Sequence, residues 1–500
     1  MPNKMTNYTK HIVKGTIIVF VISAISAFLG YLLRLVLARN LGVEDFGLFY
    51  AVFSFLGLLT ILQTLGFDRS LVKFVSEFSS SKKHDLVKSS IMYAMIVELA
   101  TNTIVLILVY LSSDYLSAHF FHNAKAAVVL NLMVIAFFID NFVLILKYIF
   151  QGFQKMVLFS AIDFARMILI LAVVFIGFKM NAGILSPVIG YIIAPIVLLF
   201  IFGGFLLRSV FPKFLSAKFV RDRKLFRGMS KYSFYVIATS IGVTIFGSID
   251  TMLLTYFSGL KAVAFYNIAF PTAKIFRYFP EALGSILLPL TSELWVKKQN
   301  SLLKSGMEEL YKYSIIITVP LVFILLSFAE LIITILFGKE YLLAGSAMKI
   351  LSIGMIFMSV HLINTSFFLG IGKPKTLSRI FYTAVIFNFA AGMLLIPKFG
   401  IIGAATATSL SYLLIMAYGL AEIRKIIPIG LPIVMWLKTL IAGLGFIAVI
   451  YLIKNFLALN FWLGAAVAMI ASSLAYAGLL FMLKVICMKE LKDLYKRAVI

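Results

Sequence analysis

The feature that most constrains this chain is a succession of apolar stretches, each about as long as a bilayer's hydrocarbon core requires. They fall at residues 14–38, 46–66, 89–112, 126–146, 157–178, 185–207, 232–257, 264–290, 314–337, 348–369, 376–396, 401–420, 433–453 and 460–483. A helix rises about 1.5 Å per residue, so roughly 20 apolar residues cross a core about 30 Å thick. Inside lipid each segment must satisfy its own backbone N–H and C=O groups, which leaves a helix for every stretch. With 62% hydrophobic and only 13% charged residues, the chain can neither clothe a water-facing surface of its size nor stay unfolded. The expectation is an all-α polytopic membrane protein of about 14 transmembrane helices. Its longest connections, 67–88, 208–231 and 291–313, are too short to hold a catalytic domain outside the membrane.

Charge supplies the orientation. A net charge of +25 would point a soluble protein toward nucleic acid; in a membrane protein it reflects Lys and Arg gathered in cytoplasmic loops. With the N-terminus inside, the inside loops hold 32 Lys and Arg against 7 outside. Both termini are therefore expected in the cytoplasm, where the sequon at Asn7 would not be glycosylated, and no nucleic-acid partner is expected. The first stretch is too long for a signal-peptide core and reads as a retained span. The single cysteine, Cys487, excludes an internal disulfide and reads as an ordinary apolar residue near a helix end.

An internal repeat is visible. GVEDFGLFYAVF (42–53) aligns with GLKAVAFYNIAF (259–270) at an offset of 217; Gly152 and Lys155 align with Gly370 and Lys373 at 218; Gly183 aligns with Gly400 at 217. An offset of six helices keeps one orientation, so the repeats are parallel, an arrangement transporters use. The expected organisation is an N-terminal lobe over 1–207, a basic cytoplasmic connector over 208–231, a C-terminal lobe over 232–420, and two additional spans with a cytoplasmic tail over 421–500.

Polar residues inside spans mark candidate chemistry, because they are costly there unless they face a cavity or a partner. The eighth stretch is richest: Asn267, Lys274 and Glu281 recur every seven residues, Arg277 and Ser285 fall on the same side, and Pro271 and Pro280 interrupt the helix. Lys274 and Arg277 are like charges one turn apart, which an anionic ligand explains better than one carboxylate, Glu281. Span 1 offers Ser23, Ser26, Gly30 and Arg34; span 2 offers Ser54, Gly57 and Thr64; span 7 offers Ser240, Thr244, Ser248, Asp250 and Thr251. The simplest assembly points these four faces into one cavity between the lobes, although Ser, Thr and Gly faces also serve helix packing. Arg34 can pair with Asp250 or snorkel to the outer interface. Asp163 and Arg166 read as a self-satisfied helix pair, His361 as packing, and Glu98, Asp140, Glu330 and Lys349 as less specific. No metal cluster, cofactor motif or catalytic motif opens a site, so neither cofactor nor enzymatic activity is expected.

Residues 37–78, LARNLGVEDFGLFYAVFSFLGLLTILQTLGFDRSLVKFVSEF, resemble the polysaccharide-biosynthesis (Wzx-type) flippases of the multidrug/oligosaccharidyl-lipid/polysaccharide exporter superfamily, as do IDTMLLTYFSGLKAVAFYNIAFPTAKIFRYFPEALGSILLPLTSEL, LFGKEYLLAGSAMKIL and IPKFGIIGAATATSLSYLL farther on. The element at Arg39–Gly47 is fairly specific, and the resemblance spans nearly the whole chain. It implies a two-lobed, MATE-like fold, alternating access across the plasma membrane, and a lipid-linked oligosaccharide or polysaccharide precursor as cargo. Membrane lipids and other proteins of glycan assembly are the implied partners. It also implies cationic cavity side chains, here Arg34, Lys274 and Arg277. A MATE-type drug exporter is the alternative, for which an acidic cavity would be expected; a polytopic polymerase or ligase would want a large external loop.

Overall fold

Helix formation follows the apolar stretches. The structure is a computed structural model describing the backbone of residues 2–456 and 461–487, with side chains from 18 to 455 and 463 to 487 apart from 238–240, 285 and 286. Asn7, Ser240, Ser285 and the tail beyond 487 lie outside the described side chains. Among the described residues there are fourteen α-helices and no strand. The first seven are α1 (Pro2–Asn40), α2 (Val43–Thr64), α3 (Phe67–Ser80), α4 (His84–His119), α5 (Lys125–Gly152), α6 (Met156–Lys179) and α7 (Leu185–Phe205). The others are α8 (Arg223–Lys274), α9 (Tyr278–Val296), α10 (Asn300–Leu336), α11 (Ala344–Gly370), α12 (Pro374–Arg424), α13 (Ile433–Phe456) and α14 (Phe461–Met482).

Twelve segments of the described chain are long and apolar enough to cross a membrane. Two of them, Ile241–Val296 and Pro374–Arg424, run to 56 and 51 residues, roughly 75–85 Å of helix where about 30 Å suffices. Each breaks at a glycine outside helical geometry, Gly259 (φ 78°) and Gly400 (φ 52°). Counting each break as a turn gives fourteen passes, the number expected from the sequence.

The chain forms two compact units, Met1–Ala264 and Phe265–Ile500. In the first, Leu71 and Val75 of α3, Ile91 of α4, Val143 and Phe150 of α5, Ile162 of α6 and Leu198 of α7 share one buried cluster. In the second, α11 packs against α9, α10 and α12.

The aligned segments agree in some turns and not in others: Gly42 and Gly259 differ in φ, −64° and 78°, whereas several helix ends match. The main-chain N–H of Phe153, Gln154 and Lys155 bonds to the carbonyls of Ile149, Gln151 and Phe150, and that of Ile371, Gly372 and Lys373 to those of Phe367, Leu369 and Phe368. The same register recurs at Ser81–Lys83 and Lys297–Gln299, and also at Met180–Ala182 and Leu483–Val485, so it is a common way for these helices to end; Phe120 and Phe121 both bond to Leu116, as Phe337 and Gly338 both bond to Ile333. Gly183 and Gly400 take nearly the same left-handed φ, 51° and 52°. Gly152 and Gly370 share a reason for having no side chain: a Cβ would come within 2.8 Å of Val75 Cβ in one unit and 2.7 Å of Thr291 Cβ in the other.

Two connections contain more structure than expected. Residues 67–88 hold α3, whose Phe67, Leu71 and Val75 are buried while Arg69 and Lys73 are exposed; apolar residues every four positions make an amphipathic helix even where no span is needed. The 208–231 connector is tied to the start of α4. The Lys218 N–H donates to Asp85 Oδ1 (2.7 Å), the Val220 N–H to Ser89 Oγ (2.8 Å), and Lys88 Nζ to the Ala217 carbonyl (2.8 Å).

Candidate functional site

The expected polar stripe lies on a broken helix. Proline has no N–H for the carbonyl four residues back, so Pro271 and Pro280 weaken the ladder on both sides of one short segment. There α8 ends at Lys274, a 3₁₀ turn spans Ile275–Arg277, and α9 begins at Tyr278. The single helix expected over 264–290 is therefore corrected to helix, turn, helix. A 3₁₀ turn has about 3.0 residues per turn, so positions three apart align along one side. Lys274 and Arg277 are such a pair.

Both cations are half-buried. Arg277 Nε contacts Glu281 Oε1 at 3.1 Å, with side chains 30% and 36% exposed. Their contact runs through the Nε edge of the guanidinium, with the pair at i,i+4. Lys274 Nζ lies 5.5 Å from the centre of the Phe270 ring, and Phe270 stacks on Tyr266 at 5.8 Å. The Tyr266 hydroxyl is anchored 3.1 Å from Thr408 Oγ1. Phe270 and Tyr266 were absent from the sequence candidates; their spacing of four residues from each other and from Lys274 was the available signal. Asn267 is half-buried on the same helix.

In the first unit, Arg34 is half-buried and its guanidinium sits 4.2 Å over the Tyr50 ring. That cation–π contact lies against α2. Tyr50 lies inside the aligned repeat segment but had not been assigned a role. Asp250 and Thr251 are buried. Ser26 returns its hydroxyl to the Ile22 carbonyl of its own helix at 2.7 Å, and a Cβ at Gly30 would lie 3.7 Å from Met167 Sδ of α6.

One pair reading is overturned. Asp163 and Arg166 do not satisfy each other. Lys147 Nζ binds Asp163 Oδ2 at 2.6 Å, and Arg166 Nη2 binds Asp140 Oδ1 at 2.9 Å. Asp140 and Lys147 stand two turns apart on α5, so each charge on α6 finds an opposite charge across the helix interface. His361 is buried, with Nε2 3.3 Å from Thr365 Oγ1, as a packing role requires. Lys349 pairs with Glu330 at 2.5 Å.

Set beside known proteins, this architecture first defines a class. The structure of the lipid II flippase MurJ in an inward closed conformation superposes with a TM-score of 0.73 at 18% identity, covering 93% of this chain and 98% of that one. An inward-facing multidrug-resistance MATE family transporter superposes at 0.65 and 14% identity, over 82% and 97%. The fold is the MATE-like fold of membrane transporters.

The sequence then gives the family. Residues 12–295, more than half the chain, match the family model "Polysaccharide biosynthesis protein", and residues 236–394 match MatE. The chain belongs to the polysaccharide biosynthesis protein family, within the multidrug/oligosaccharidyl-lipid/polysaccharide exporter superfamily; it is a multi-pass membrane transporter of the flippase type. A membrane protein of Methanocaldococcus jannaschii is 30% identical over 99% of both chains. A probable low-salt glycan biosynthesis flippase of Haloferax volcanii is 29% identical over 37% of this chain and 39% of that protein.

Proposed function

We propose that this transporter moves a lipid-linked oligosaccharide or polysaccharide precursor from the inner to the outer leaflet of the cytoplasmic membrane, with both termini in the cytoplasm. The observation that carries the reading is Arg277, half-buried, paired with Glu281 at Nε and aligned with a second cation, Lys274, at a proline-bounded helix break. A guanidinium fork offers two parallel N–H groups to a phosphate. Lipid-linked sugars join their lipid to their glycan through phosphate. The bilayer bars such a head group mainly through the cost of stripping its water, and Lys274 and Arg277 offset that cost. Arg34 is a further cation for the anionic head group. Asn267 supplies a neutral polar side chain beside the pair, and Glu281 and Asp250 balance the positive charge.

The relatives support the class of cargo: two of them are named for glycan or lipid II flipping. The alternative, a drug exporter, would favour carboxylates over cations where its cationic substrates bind. The deciding experiment is reconstitution in vesicles, with transfer of a labelled lipid-linked oligosaccharide and efflux of a lipophilic cationic dye measured in parallel. Glycan-lipid transfer without dye transport is the expected result; dye transport alone would replace the reading.

A further inference from the structure

The 208–231 connector is a folded basic surface of the first unit. It holds eight Lys and Arg and one acidic residue, Asp222. Its buried Phe211, Leu225 and Met229 join the apolar cluster of that unit, and the Tyr93 hydroxyl of α4 donates to the Asp222 carbonyl at 3.3 Å. The backbone is thus held against the helices, while all eight cations are exposed. The carboxylates that meet this backbone act on its N–H groups. Asp85 Oδ1 accepts from Lys218, and Asp222 Oδ1 accepts from Lys224 and Leu225 at 2.7 and 3.1 Å, capping α8.

Two features point to an anionic ligand. Val220, Arg221, Asp222, Arg223 and Lys224 line an open depression of about 540 Å³, which sets three cations against one capping carboxylate. Arg223 and Lys224 also stand in the first turn of α8, which contains no acidic residue. The unsatisfied N–H groups of that turn already make the helix end positive, so cations there disfavour the helix and an anion relieves them.

A third feature selects the anion. Apolar side chains are exposed among the cations: Leu215 at 76%, Phe219 at 45%, and Val220 and Phe226 at 40%. Beside a soluble polyanion they would stay in water. At the edge of a bilayer they enter the boundary between head groups and acyl chains, while neighbouring Lys and Arg meet the phosphates. The connector is confined to that edge, since it runs from the end of the span in α7 to the start of α8. We propose that the connector, with Arg221, Arg223 and Lys224 at its centre, is a docking surface for the phosphate head groups of anionic membrane lipids. It fastens the loop that joins the two repeats to the leaflet it faces. That this leaflet is the cytoplasmic one rests on the topology read above; the lipid binding does not.

The test is energy transfer in phosphatidylcholine nanodiscs holding the full chain. A donor dye is placed on a cysteine at Ser216, an exposed connector residue, in a Cys487→Ser background. The acceptor is a trace of tail-labelled phosphatidylglycerol or, in parallel, tail-labelled phosphatidylcholine. Phosphatidylglycerol should be enriched at the dye at least about fivefold over phosphatidylcholine, the contribution of one cation at an anionic head group, and the excess should shrink as salt rises. Arg221→Gln/Arg223→Gln/Lys224→Gln should abolish the excess, and Arg221→Lys/Arg223→Lys should keep it. Removing the same charge from exposed lysines of the second unit, as Lys298→Gln/Lys373→Gln/Lys375→Gln, should also keep it. Equal transfer to both lipids overturns the proposal and leaves the surface to a soluble acidic partner. Equal losses in the two triple variants make the excess a matter of net charge and overturn the site. If the connector triple variant fails to fold, Arg223→Gln alone should at least halve the excess, and an unaltered excess overturns the site. Lipid enrichment in a protein that fails to move glycan lipid in vesicles would refute the cargo and leave this surface standing.

Discussion

Replacing Arg277 by alanine separates a binding role from a structural one, because the two roles predict very different magnitudes. The structural contribution is small. Its ion pair with Glu281 is an i,i+4 contact with both side chains about one-third exposed, a class contributing about 0.3–0.5 kcal/mol. Arg277→Ala should therefore cost less than about 1 kcal/mol of stability and express normally. The binding contribution is larger. A guanidinium on a phosphate makes two charge-assisted hydrogen bonds of about 1.5–3 kcal/mol each. Losing both removes at least about 3 kcal/mol, roughly a hundredfold in affinity at about 1.4 kcal/mol per decade.

Arg277→Lys retains the charge without the fork and should lose less than Arg277→Ala. Glu281→Gln removes the carboxylate that competes with phosphate and should bind as well as wild type or better. The assay is the concentration dependence of glycan-lipid transfer in vesicles, with melting temperature measured on the same preparations. Transfer by Arg277→Ala within two- to threefold of wild type would remove Arg277 from the substrate's path. Equal losses in Arg277→Ala and Glu281→Gln, with melting lowered by several degrees, would make the pair structural.

Three further outcomes are expected. Gly152→Ala and Gly370→Ala should each destabilise by about 1–3 kcal/mol through overpacking, because the added Cβ meets Val75 and Thr291; thermal melts in which one is costly and the other neutral would contradict their equivalence. Burial holds the Asp68 carboxyl on α3 above the usual carboxylate range. The folded protein thus binds that proton more tightly than the unfolded chain, and stability falls as pH rises from about 4. The stability of Asp68→Asn relative to wild type should therefore grow between about pH 4 and neutrality; a pH-independent difference in melting temperature would refute this. In a Cys487→Ser background, a cysteine at Ser216 should react with impermeant reagent only once the cytoplasmic face is opened; labelling in intact cells would invert the topology.

How much of the site could be read beforehand depended on the distance over which each group acts. Lys274, Arg277 and Glu281 lie within eight residues, and helical spacing alone put them on one side. The helix break was signalled by Pro271 and Pro280, but its form was not, because a proline pair permits a kink, a gap or a 3₁₀ turn and neighbouring packing selects among them. Asp163 and Arg166 show the opposite case. Their spacing offered a local pair, yet Lys147 and Asp140 on α5 took both charges, a competition invisible until α5 and α6 are side by side.

The sequence by itself determined the class of structure. Apolar stretches of spanning length in a chain this poor in charge must become membrane helices, since the bilayer leaves backbone groups no other partner. Single turns were legible in part, because turn geometry is local: Gly183 and Gly400 share a left-handed φ, whereas the aligned Gly42 and Gly259 do not. Tertiary structure decided the partners. That Arg34 lies over Tyr50, and that Glu98 meets Asn141 while one of its oxygens goes without a donor, follows from which helix faces meet. In a chain that is apolar on nearly every helix face, hydrophobic periodicity does not specify those faces; close packing and the few buried polar groups do.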